Sequence, residues 1–76
     1  MDELIPLDLL EKGRDADIAE VCGQPDLVGR LAELGLRTGC RVRVLQSGSP
    51  CLVLVGDARL SLRGDWTMQI LVRPHA

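Results

Sequence analysis

A small, mainly β domain that closes into a barrel of about five strands, with one short α-helix at about residues 25–35, is the fold the sequence predicts. Three observations carry the prediction. Within residues 30–45, RLAELGLRTGCRVRVL, the hydrophobic period changes midway. Leu27, Leu31 and Leu34 recur at i, i+4 and i+7, one stripe of a helix, and from Cys40 the period becomes two. Further on, Gly56-Asp57 separates two short alternating segments, as in a hairpin closed by a two-residue type I′ or II′ turn. The remaining segments are also short and bounded by turn residues, with no repeat, linker or low-complexity tract, so residues 1–76 form a single domain.

Residues 4–10 are apolar and broken by Pro6, which suits an edge strand or a loop crossing the core. Residues 11–14 turn at Gly13. Residues 16–22 read as a strand with Ala16 and Ile18 inward, bulged near Glu20 so that Val21 also points in. Pro25 stands at a first helical position, and the helix runs to about Leu34, with Val28 widening its apolar face. Gly35 then supplies the left-handed residue that often follows a helix. After a turn at residues 37–39, Cys40, Val42 and Val44 point inward and Arg41 and Arg43 outward. Residues 46–50 are a polar loop, and residues 51–55 pair with 58–63. Residues 63–68 make one helical turn with Asp65 near its start, and residues 69–73 are the closing strand, ended by Pro74. The predicted core is Ile18, Leu31, Leu34, Val42, Val44, Val53, Leu60, Leu62 and Ile70.

Composition narrows the function. A chain of this size buries only ~60% of its extended-chain surface, enough for one core and not for a core plus a deep cleft. No apolar run approaches the ~20 residues that span a bilayer. The first residues, MDELIPLD, are acidic and read as neither a secretory signal nor a transit peptide. A cytoplasmic protein is expected. The net charge is −2, with one Lys, one Trp and neither Phe nor Tyr, which argues against nucleic acid. The same scarcity of aromatic residues argues against a polyproline groove. The arginines are spread along the chain, and Arg41 and Arg43 read first as a solvated strand face.

No catalytic constellation stands out, and the expectation is a non-enzyme without a cofactor. His75 is next to last, where chain ends are usually mobile, and no P-loop or nucleophile-elbow sequence is present. Cys22, Cys40 and Cys51 are odd in number, and their x17 and x10 spacings contain no C-x-x-C pair. They read as reduced thiols, with Cys40 and Cys51 on inward strand faces. Asp2, Glu3, Asp8 and Glu11 cluster near the N-terminus, where acidic residues are more often solvated surface than ligands.

What remains is a surface for a partner. If Cys51, Val53 and Val55 face inward, Leu52 and Leu54 must face outward. Two leucines side by side on an outer strand face suit an interaction surface, and Trp66 at a short exposed turn would add to it. The competing reading is that residues 4–10 fold across and cover them. The same leucines also suit weak self-association.

The chain resembles the ferrous iron transport protein A (FeoA) family. The resemblance runs in order through PLDLLEKG, ADIAEVCG, RLAELGLRTG, CRVRVL, Pro50, LSLR and ILV, nearly the whole chain. Trp66, Leu52 and Leu54 depart from the family's usual small or polar residues. The resemblance implies an SH3-like barrel and a small accessory or regulatory role in ferrous iron uptake. The partner it implies is the cytoplasmic, GTP-hydrolysing part of the FeoB permease, which would hold the protein at the membrane. The LGL tripeptide adds Leu36 and Arg37, at the helix-turn tip, to the candidate contacts. Two alternatives stay open. One is a chaperone or sensor binding a transition-metal ion through the cysteines or acidic residues. The other is a detached relative of the SH3-like domain of metal-dependent repressors, although this chain begins almost at the barrel, which favours a free-standing protein.

Overall fold

The computed structural model describes residues 3–75. Among them, β1 (Ile5–Pro6), β2 (Asp15–Val21), β3 (Arg41–Gln46), β4 (Cys51–Val55), β5 (Ala58–Leu62) and β6 (Ile70–Pro74) form one antiparallel sheet. Its order is β1-β6-β2-β3-β4-β5. Helix α1 spans Pro25–Glu33, α2 spans Gly64–Thr67, and a 3₁₀ turn covers Leu7–Leu9. The mainly β barrel with one principal helix is as the sequence predicts. Two details differ. There are six strands among the described residues, because the apolar start of the chain supplies a two-residue strand and then a 3₁₀ turn that buries Leu7. The barrel is also not closed by hydrogen bonds: β1 and β5 remain edges. The 3₁₀ turn after β1 packs against α2 after β5, which brings the two ends of the sheet near each other without a ladder. Leu7 and Thr67 are fully buried there, and Trp66 packs half-buried against the core. The Thr67 hydroxyl donates to the Gly64 carbonyl at 2.8 Å, which satisfies the one buried polar side chain among the described residues.

Strand alternation sets the core. Val42 and Val44 of β3 and Cys51 and Val53 of β4 are buried, while Arg41 and Arg43 are exposed. Fully burying each such aliphatic side chain contributes about 1.5–3 kcal/mol. The expected bulge in β2 lies between Ile18 and Glu20, and it returns Val21 to the inner side. A second irregularity, between Val44 and Gln46 of β3, is not visible in the sequence. The β4–β5 turn is resolved by sign: Gly56 has φ +60° and no non-glycine residue among the described residues, Asp57 included, has positive φ, which makes it type II′.

The helix corrects one core assignment. Leu31 is buried and Leu27 half-buried, but Leu34 is 40% exposed and Leu36 is fully buried in its place. Leu34 is the helix C-cap. Beyond it the chain reverses through Gly35, at φ +95°, and drops Leu36 into the core. Leu60, expected inside, is half-buried because it sits on the open edge.

Candidate docking surface

The outer face of the sheet is a grid set by register. Across β2, β3, β4 and β5, Asp15 stands opposite Arg43, Arg43 opposite Leu54, and Leu54 opposite Arg59. The next row places Leu52 between Gln46 and Ser61. Leu52 and Leu54 are therefore on the outer face, half-buried rather than fully exposed. Nothing from residues 4–10 covers them by strand pairing: β1 joins β6 at the far edge of the sheet.

The charges on this face are partly spent on each other. Arg43 Nε donates to Asp15 Oδ1 at 2.6 Å and its Nη2 to Oδ2 at 3.1 Å, a forked pair. That hydrogen bonding holds the Asp15 carboxyl below its ordinary range and the Arg43 guanidinium above its own. Arg41 lies 3.8 Å from Asp17, a looser pair, and remains largely exposed. Asp17 also takes His75 Nε2 at 3.0 Å. The His75 backbone N–H donates to the Asp15 carbonyl at 2.9 Å, and Arg14 Nη2 donates to the His75 carbonyl at 2.8 Å. His75 is thus tied to β2, contrary to the mobility expected from its position. Arg59 has no hydrogen bond or ion pair among the described residues. Asp15, Arg41, Arg43, Leu54 and Gly56 line a shallow depression of about 300 Å³. Leu54 there lies beside two guanidinium groups, Arg43 held by Asp15 and Arg41 largely exposed, a setting that suits an apolar side chain flanked by acidic ones.

The other candidate residues fall elsewhere. Trp66 is on α2 against the core, not on the outer sheet face. Leu36 is wholly enclosed, which removes it as a contact residue, whereas Arg37 beside it is exposed. Arg59 is the residue the sequence reading missed. The signal was available, because a two-residue turn at Gly56-Asp57 already places Arg59 opposite Leu54. Exposed Leu9 and Met68, at 64% and 63%, were also not foreseen; they belong to the 3₁₀ turn and the end of α2.

The thiols are free. Cys51 is buried, and burial, with Asp8 nearby, raises its pKa. Cys22 donates to Glu20 Oε2 at 3.4 Å, and that carboxylate likewise raises the thiol. Among the described residues no three His, Cys, Asp or Glu side chains are grouped to hold a metal ion; Asp2 of the acidic cluster lies outside them. No helix among them is long and apolar enough to cross a membrane.

These features define a small SH3-like domain with a partly charged outer sheet face. The chain belongs to the FeoA domain family, whose family model matches residues 5–74. The fold is similar to the crystal structure of an iron uptake regulatory protein (FeoA), with TM-score 0.91 and 23% identity, covering 96% of this chain and 100% of that one. Stenotrophomonas maltophilia FeoA, complexed with zinc and described as a prokaryotic SH3 domain protein, is 29% identical at TM-score 0.77, covering 95% of this chain and 88% of that one. A manganese-dependent transcriptional repressor shares the fold at TM-score 0.89 and 19% identity, covering 99% of this chain but 44% of the repressor. No curated protein matches by sequence. Membership of the FeoA family places the chain in ferrous iron transport, as an accessory component.

Proposed function

We propose that this protein is a cytoplasmic, non-catalytic regulator of ferrous iron uptake that docks on the GTP-hydrolysing part of a FeoB-type permease. The observation that carries the reading is Leu54, set on the outer sheet face between Arg43 and Arg59. That arrangement offers an apolar anchor inside a cationic rim, and such anchors carry most of an interface's affinity. Iron is the transported substrate in this reading and is not held by the protein.

The test is affinity between the purified protein and the full-length permease in detergent. Leu54→Asp should weaken binding about tenfold or more, the scale of losing one anchor. Arg59→Glu should weaken it less and should abolish part of its salt dependence. Wild-type protein that does not bind the permease, or a Leu54→Asp variant that binds as wild type, sinks the reading. Tight, stoichiometric Fe²⁺ binding under reducing conditions would favour the chaperone alternative instead.

A further inference from the structure

The two edges of the sheet are guarded differently. β1 is two residues long and contains Pro6, so it offers almost no ladder to another chain. β5 is five residues long, contains no proline, and has no strand beyond it in the sheet order. Because the Gly56-Asp57 loop has two residues, the pair that flanks it, Val55 and Ala58, is of the hydrogen-bonded kind, and pair types alternate from there. Ala58, Leu60 and Leu62 therefore direct their N–H and C=O groups at β4. Arg59 and Ser61 turn theirs to the open side, where neither has a backbone partner among the described residues.

Two side chains are left incomplete on the same edge. Leu60 faces the core opposite Val53, yet Val53 is sealed and Leu60 is only half-buried. Arg59, on the outer face, is the single charge on β5 and has no partner among the described residues.

We propose that β5 is a docking edge that takes one extended segment of a protein partner as an added strand, with an apolar residue covering Leu60 beside an acidic residue paired to Arg59. The exposed backbone groups require an extended ligand. Leu60 calls for an apolar residue on the inner side, and Arg59 for an acidic one on the outer side, so the segment alternates with period two. A second copy fits less well. Antiparallel pairing of two β5 strands about Leu60 sets each Arg59 against Ser61 and leaves both arginines without a counter-charge. The inference deepens the docking reading and rests on it for naming the permease as the source of the segment; the edge itself stands on its own geometry.

The first test titrates the ¹⁵N-labelled full chain with a short synthetic peptide of alternating valine and glutamate, up to millimolar. The amides of Arg59 and Ser61 should shift, and their exchange with solvent should slow about tenfold. A peptide with lysine in place of glutamate should bind about tenfold more weakly, and Arg59→Glu, a surface change, should reverse the preference. Shifts that spare Arg59 and Ser61, equal binding of the two peptides, or concentration-dependent pairing of β5 without peptide would each overturn the proposal. The second test follows the same amides with the full-length permease. Protection at Arg59 and Ser61 supports the proposal, and a permease complex that leaves both exposed overturns it. If the peptide pairs with β5 but the permease does not bind, the permease reading falls and the docking edge stands.

Discussion

The backbone N–H of Leu36 donates to the carbonyl of Leu31 at 2.9 Å, and that bond explains how a helix of nine residues completes the core. With the Gly35 N–H donating to the Ala32 carbonyl at 3.0 Å, it forms a Schellman motif. The reversal substitutes Leu36 for the residue that would follow on the helical stripe, and turns Leu34 out. Leu31 and Leu36 are both fully buried.

Stability should therefore separate Leu34 from Leu36. Leu36→Ala is expected to cost about 2–5 kcal/mol, as for emptying a core leucine site. Leu34→Ala should cost about 0.5 kcal/mol or little more. Gly35→Ala should be destabilising too, because φ is +95° and an added Cβ would meet Val55 Cγ1 at 3.3 Å. Urea denaturation of the three variants measures all of this, and equal midpoints for the Leu34 and Leu36 variants would refute the assignment.

The Asp15–Arg43 fork predicts an acid limb in stability. Asp15 is held below its ordinary value of 3.8, first by the Arg43 hydrogen bond. A depressed carboxylate stabilises the fold above its unfolded pKa, and the contribution is lost as pH falls from about 3.8 through the lower folded value. Arg43→Ala should return the Asp15 titration toward the ordinary range, read by carboxyl NMR, and should flatten that part of the pH–stability curve. An Asp15 titration that the variant does not move would refute the pairing in solution.

Thiol reactivity should rank the cysteines. Cys51 is buried with a raised pKa and should react only on unfolding. Cys22 is more open, but Glu20 disfavours its thiolate. Glu20→Gln should therefore speed Cys22 alkylation near neutral pH without changing the rate at Cys51. Prompt reaction of Cys51 in the native protein would show that β4 does not pack as described.

The legible part of this fold was the part ruled by local period. Val42 and Val44 inward with Arg41 and Arg43 outward, the bulge near Glu20, and the Gly56-Asp57 turn all follow from backbone geometry within a few residues. Leu34 and Leu36 were misplaced because helical periodicity does not say where the helix stops; the cap does. Trp66 was read as exposed because its short turn is polar, whereas it is partly buried against a core assembled from distant segments. The open seam between β1 and β5 was equally hidden, since closure is a property of six strands together. For the candidate site, alternation placed Leu52 and Leu54 on the outer face, and register was needed to bring Arg59 beside them.

Those placements sharpen the cellular test of function. Leu54→Ser removes a half-buried side chain from the outer face and should cost about 1 kcal/mol or less. Trp66→Ser strips a side chain packed against the core and should cost about 2 kcal/mol or more, roughly 8 °C or more of melting temperature in a domain this small. Ferrous iron uptake in cells carrying each variant, compared with the melting temperature of each purified protein, then separates docking from folding. Leu54→Ser should lose uptake with its melting temperature nearly kept, whereas any loss in Trp66→Ser should track its stability. Cys22→Ser and His75→Ala should transport normally, since the Cys22 thiol donates to Glu20 and the His75 ring faces Asp17 at the surface. Lost uptake in either of these, at an unchanged melting temperature, would replace docking with a metal-handling role. Normal uptake in Leu54→Ser would move the contact off the outer face, and exposed Arg37 would be the next residue to change.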